Sequence, residues 1–271
     1  MLRSTKANRQ GDSCVKVIKK YKPGEICWTD LGTPDFAGAK KFYRAIFGWT
    51  AKDLPMGPDS EYAMMSVKGK KVCVLYALSE DQRKAEVPPS WLPYVSVASV
   101  AATVKKARAA RGKIIVQPMK VAEGSLAVIQ DPTGAAIGLW QAGSHVGATI
   151  SDTPGTASWQ DLNTPKPGVA GKFYDKVFGW KWATKDFSGN EYTTFMLGKQ
   201  AECGMWPTPM KKIPPSWVTH WQVVDCAKTV AKVKRLGGRV VMGTTAVPGV
   251  CRFAILKDPK GAVFGILEPE P

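Results

Sequence analysis

Two short runs place a carboxylate two residues after a tryptophan: Trp28-Thr29-Asp30-Leu31 and Trp159-Gln160-Asp161-Leu162. Residues two apart on a strand share a face, so each aspartate should lie beside its indole. A carboxylate withdrawn from water there could act as a general base or anchor a ligand by hydrogen bonding. The competing reading is structural: a carboxylate that bonds backbone N–H groups or the indole itself. The chain holds only 2 histidines. His220 falls in a strand-like run, Trp217 to Val223, where an imidazole either packs in the core or carries acid/base chemistry. His145 falls in a loop-like stretch and is expected to be structural or exposed. If one half of the chain is catalytic, Asp161 with His220 is the best constellation. That pair suits general-base chemistry, or a two-ligand metal site if Glu202 also turns inward.

The elements that must position these residues occur twice. Ile26 to Leu31 alternates as a strand, and Asp35 then suits a helix N-terminus. Phe36, Ala39, Phe42, Tyr43, Ile46 and Phe47 give helical spacing, with Gly48 as the stop. Tyr62 to Val67 and Lys71 to Leu78 read as strands around Lys68-Gly69-Lys70, after a short strand near Trp49 to Lys52. Beyond Pro88-Pro89-Ser90, Trp91 to Val97 reads as a strand and Val100 to Arg111 as a helix. Ile114 to Gln117, Ser125 to Ile129 and Ala135 to Gln141 follow as strands, the last two joined by Asp131-Pro132-Thr133-Gly134.

The same order then restarts. Phe42-Tyr43 through Phe47-Gly48-Trp49 returns as Phe173-Tyr174 through Phe178-Gly179-Trp180. Glu61-Tyr62 returns as Glu191-Tyr192, Pro88-Pro89-Ser90-Trp91 as Pro214-Pro215-Ser216-Trp217, and Asp131-Pro132 as Asp258-Pro259. Anchors in constant order with small drifts in spacing mean a duplicated domain. The expected division is a basic tail over 1–24, domains over 25–142 and 155–271, and a linker over 143–154. In this alignment Tyr94 is the counterpart of His220. Asp35 is matched by Lys166, so Thr164 with Pro165 or Pro167 should start the second helix.

The net charge of +16 favours anionic partners. Basic residues crowd the first 24 positions, where Asp12 is the single acid. Elsewhere they follow helix faces, such as Lys105, Lys106 and Arg108, without the interleaved aromatics of a nucleic-acid surface. Nucleic acid is therefore not the expected partner. No apolar run is long enough to span a bilayer, and the N-terminus lacks the apolar core of a secretory signal. The 6 cysteines form no CxxC pair, which points to reduced, packed thiols in a cytoplasmic protein.

The Trp-x-Asp-Leu strand, the Phe-Tyr helix ending in Phe-Gly, the half-way restart and the closing Asp-Pro-x-Gly-Ala resemble the vicinal oxygen chelate superfamily. That superfamily includes glyoxalase I, extradiol dioxygenases and bleomycin-resistance proteins, and the chain is most similar to its tandem glyoxalase-like members. The resemblance implies an α+β fold of two domains, each two βαβββ modules whose curled mixed sheet surrounds a cavity. It also implies where a divalent ion would be held. A fourth position, on the last strand of the first module, is not placed; the other three are Trp28, Leu92 and Gly138 in the first domain and Trp159, Val218 and Gly265 in the second. None offers a suitable side-chain donor.

The expectation is a protein without the usual metal site and with no cofactor, binding a small aromatic or anionic molecule. Asp30, Asp161 and His220 are the candidates for chemistry. Trp28, Tyr94, Trp140 and Trp159 are the candidates for lining the ligand site, with Trp91 and Trp217 expected in the core. One alternative is a lyase acting on a 2-oxoaldehyde such as methylglyoxal, or dioxygenase-like chemistry. Another is an anion-binding protein that works through the basic tail. Two domains can supply internally the pairing that single-domain relatives obtain by dimerising, so a monomer or weak homodimer is expected.

Overall fold

A computed structural model describes residues 16–54, 61–187, 190–208 and 214–270. The first domain contains β2 (Ile26–Thr33), α1 (Phe36–Phe47), β3 (Thr50–Asp53), β4 (Tyr62–Val67), β5 (Lys70–Ala77) and α2 (Glu80–Lys84). It continues with β6 (Ser90–Ser96), α3 (Val100–Ala109), β7 (Lys113–Val121), β8 (Gly124–Gln130) and β9 (Ala136–Ala142). The second contains β11 (Ala157–Thr164), α4 (Pro167–Phe178), β12 (Lys181–Phe187), β13 (Asn190–Leu197) and β14 (Gln200–Pro207). It ends with β15 (Ser216–Gln222), α5 (Cys226–Arg235), β16 (Arg239–Val247), β17 (Cys251–Lys257) and β18 (Val263–Pro269). Two short strands, β1 (Lys16–Val17) and β10 (Ile150–Ser151), pair with each other.

Each domain is one eight-stranded mixed sheet, ordered β3-β4-β5-β2-β6-β9-β8-β7 and β12-β13-β14-β11-β15-β18-β17-β16. Two βαβββ modules meet where β2 runs antiparallel to β6, and β11 to β15. Neither sheet closes into a barrel. Asp35 caps α1 by accepting the Gly38 N–H at 2.9 Å, and Gly48 ends the helix in a left-handed conformation. In the second domain Lys166 occupies the N-cap without a side-chain bond, and Pro167 opens α4. Thr164 accepts the Lys166 N–H at 3.2 Å, bracing the turn before the helix rather than the helix itself. The unexpected α2 starts at a capping box between Ser79 and Gln82.

The helices join the two domains. One apolar cluster packs α1 residues Phe36, Phe42 and Tyr43 against Trp221, Val233, Leu256 and Phe264 of the second domain. Its mirror packs Val100, Val104 and Ala107 of α3 against Phe173, Tyr174 and Val177 of α4. The repeated motifs meet inside these clusters. The Tyr43 hydroxyl donates to Asp258 at 3.1 Å and accepts the Trp91 indole N–H at 3.1 Å. The Tyr174 hydroxyl donates to Asp131 at 2.9 Å and accepts from Trp217 at 3.1 Å. Each of these aspartates uses its other oxygen to hold the backbone N–H groups of its own Asp-Pro-x-Gly turn.

The N-terminal stretch is bound to the fold from residue 16 onward. β1 pairs with β10, the Tyr21 hydroxyl donates to the Ala148 carbonyl at 2.9 Å, and the Gly24 carbonyl accepts from the Trp180 indole at 2.8 Å. Positions 1–15 of the expected tail lie outside the described residues. No helix among the described residues is long and apolar enough to cross a membrane.

Candidate functional site

The helix-free face of each sheet carries the residues singled out above. Strand pairing sets Trp28 opposite Tyr94, and Tyr94 opposite Gly138, in one row across β2, β6 and β9. The equivalent row is Trp159, His220 and Gly265. The Tyr94 ring lies on Gly138 so closely that no Cβ would fit, and the His220 ring lies on Gly265 in the same way. Glycine is needed at both positions because a ring occupies the space that a side chain would take.

In the first domain the half-buried Asp30 accepts the Trp28 indole N–H at 2.6 Å and also the Tyr94 hydroxyl. Burial raises its carboxyl from 3.8 to about 7, against the opposing pull of those two hydrogen bonds. Tyr62, Tyr76, Leu92 and Leu126 pack around Trp28, Tyr94 and Trp140. The site is thus a carboxyl group within a largely aromatic wall.

In the second domain Asp161 is 5% exposed and His220 3%. Asp161 accepts the Tyr192 hydroxyl at 2.8 Å and the Trp159 indole at 3.1 Å, both on one oxygen. Its other oxygen lies 2.9 Å from His220 Nε2, a distance at which an ion pair forms on protonation. The contact is out of line for a straight hydrogen bond, and both ring nitrogens lack a hydrogen-bond partner among the described residues. Tyr192 reaches Asp161 across Gly204, which has no room for a Cβ. The first-domain position paired with Asp30 is Val74 instead.

The structure therefore brings Trp28, Asp30, Tyr94 and Trp140 together in one domain, and Trp159, Asp161 and His220 in the other. Trp91 and Trp217 lie on the opposite, helix-covered face. Glu202 does not join the Asp161–His220 pair; its carboxylate accepts the Ile26 backbone N–H at 2.6 Å. Two residues that lie beside these groups were not among the sequence candidates for a site. Tyr192 was visible only as half of a repeated Glu-Tyr anchor. His145 belongs to the segment between the domains, yet its ring packs edge-on to Trp28 at 4.5 Å.

The positions that the resemblance implies for a metal ion carry an indole, an aliphatic chain or a covered glycine. No group of three or more His, Cys, Asp or Glu residues that could hold a metal ion occurs among the described residues. A separate groove of about 400 Å³, lined by Lys40, Lys41, Arg44 and Trp49, lies on the helix side, away from both carboxylates.

A tandem pair of βαβββ sheets with an acidic site on each helix-free face defines a glyoxalase-like two-domain protein. The chain belongs to the glyoxalase/bleomycin resistance protein/dioxygenase superfamily: that family's model matches residues 25–139, and a glyoxalase-like domain model matches 160–267. It is 36% identical to "Putative glyoxylase CFP32" of Mycobacterium tuberculosis over 93% of this chain and 97% of that protein. It is 31% identical to the anthracycline biosynthesis protein DnrV of Streptomyces peucetius, over 93% of this chain and 95% of that one. The Mn(II)-bound glyoxalase of Novosphingobium aromaticivorans has the same fold, with a TM-score of 0.63 at 18% identity, over 94% of this chain and 83% of that one. The 2,3-dioxygenase LapB of Pseudomonas sp. KL28 aligns with a TM-score of 0.61 at 12% identity, over 91% and 92%.

Proposed function

We propose that the chain binds a small planar aromatic or anionic molecule on the helix-free faces of its sheets, without a glyoxalase-type divalent ion at the usual place. The observation that carries this is Asp30, held by Trp28 and Tyr94, with its carboxyl raised to about 7. Near neutral pH such a group exists in both forms, so it can donate to a ligand oxygen or accept from a hydroxyl. The surrounding indole and phenol rings suit a flat apolar ligand. The donor set does not fit a divalent ion, because Trp28, Leu92 and Gly138 supply no ligating side chain and the Tyr94 ring fills the space above Gly138. The likeness to a protein named for anthracycline biosynthesis supports a polycyclic aromatic as the ligand class.

Calorimetric titration with 2-naphthol tests this. Saturable binding that weakens in Trp28→Ala and in Asp30→Asn is expected. A stoichiometric divalent ion in the purified protein, required for binding or turnover, would overturn it.

A second reading rests on the Asp161–His220 pair at 2.9 Å. Lyase-type turnover of a 2-oxoaldehyde such as methylglyoxal would use His220 to move a proton while Asp161 stabilises the imidazolium. Turnover lost in both Asp161→Asn and His220→Ala is expected on this reading; turnover unchanged in both removes the pair from the mechanism.

A further inference from the structure

We propose that His145, carried by the segment between the two domains, is a ligand-binding residue of the first-domain site and selects aromatic molecules that bear a hydroxyl group. This inference rests on the reading that the first domain binds a planar molecule. The segment is tied down over the helix-free face at several points. The Trp140 indole donates to the His145 carbonyl at 2.8 Å, and the Ala148 N–H donates to the Cys27 carbonyl at 2.8 Å. Gly147, at φ 115°, lies against the Cys27 backbone where a Cβ would not fit. These bonds hold the imidazole between two of the site's indoles, with ring centroids 4.5 Å from Trp28 and 5.8 Å from Trp140.

His145 Nε2 is buried there with no hydrogen-bond partner among the described residues. A buried polar atom without a partner carries a desolvation cost that a ligand group can remove. Burial and the nearby Lys71 lower the His145 pKa to about 4, so the ring is neutral at pH 7. A neutral ring nitrogen complements a hydroxyl, whereas an imidazolium would call for an anion. With Trp28 linking His145 to Asp30, the site offers two polar atoms within an aromatic wall.

The test compares 2-naphthol with 2-methylnaphthalene, which has the same shape but no hydroxyl. His145→Phe keeps a flat ring against Trp28 and removes the nitrogen. It should weaken 2-naphthol binding about tenfold, roughly the worth of one hydrogen bond, while leaving 2-methylnaphthalene binding nearly unchanged. His145→Gln should restore part of the 2-naphthol affinity. With only 2 histidines in the chain, ¹⁵N NMR can follow each ring, and 2-naphthol alone should move the His145 nitrogen signal. Equal weakening of both compounds, or no change in either, would overturn the inference and leave His145 as packing. Failure of the unaltered protein to bind either compound would overturn the binding reading beneath it.

Discussion

The two domains hold their aspartates with the same chemistry drawn from different strands. Asp30 is clamped by Trp28 and by a tyrosine on β6, whereas Asp161 is clamped by Trp159 and by a tyrosine on β13. The exchange turns on two positions. Val74 carries side-chain bulk where Gly204 has none, so in this arrangement only Tyr192 reaches its aspartate by that route. With a tyrosine arriving from β13, the β6-equivalent position on β15 holds His220. Duplication thus preserved a bonded carboxylate and freed one neighbouring position to change chemistry.

The largest test of this comparison is Gly204→Val. The added side chain would displace Tyr192 from Asp161 and should cost about 3 kcal/mol in denaturant unfolding. Adding His220→Tyr rebuilds the first-domain clamp and should recover part of that loss; a double variant no more stable than the single one breaks the comparison.

The second test uses pH. The folded protein keeps the Asp30 proton up to about 7, whereas the unfolded chain releases it near 3.8. Asp30 therefore favours the folded state below 3.8, and that contribution fades as the pH rises through about 7. Asp30→Asn should flatten the stability profile across that window by on the order of 2 kcal/mol, allowing for the partial exposure of the carboxyl. An unchanged profile would show that Asp30 does not carry the effect.

Away from the sites the domains should behave alike. Tyr43→Phe and Tyr174→Phe each remove one donor to a buried aspartate and should each cost about 1.5 kcal/mol in thermal unfolding. Clearly unequal losses would mean that the divergence reaches the interdomain core. The smallest effect is at the helix caps. Lys166→Asp should gain about 0.5–1 kcal/mol by giving α4 the cap that Asp35 gives α1. No gain would show that Pro167 and the preceding turn already fix that end.

The architecture was legible because it is written twice. Trp28 to Leu31 and Trp159 to Leu162 fixed the correspondence of the two repeats, and period-two alternation then put Asp30 beside Trp28 and made His220 the counterpart of Tyr94. What stayed hidden depended on distant backbone. The reach of Tyr192 is decided by the absence of a Cβ at Gly204 on the neighbouring strand β14, which no local pattern displays. His145 read as a linker residue because the chain must fold back before its ring meets Trp28. The capping box at Ser79 and Gln82 was a local signal that would have revealed α2. Tyr43 and Tyr174 read as core helix residues, but they bond across domains, a pairing that periodicity within one repeat does not specify.

The reciprocal packing of α1 has a consequence for how the protein is made. Phe42 and Tyr43 pack edge-on against Phe264 of β18, a residue more than two hundred positions further along the chain. α1 must therefore wait, with its aromatic face uncovered, while more than two hundred residues are synthesised. At roughly 5–20 residues per second that interval lasts on the order of ten seconds or more, long enough for a sticky surface to find other partners. Internal duplication puts both halves of this packing in one chain, and with them a delay during synthesis.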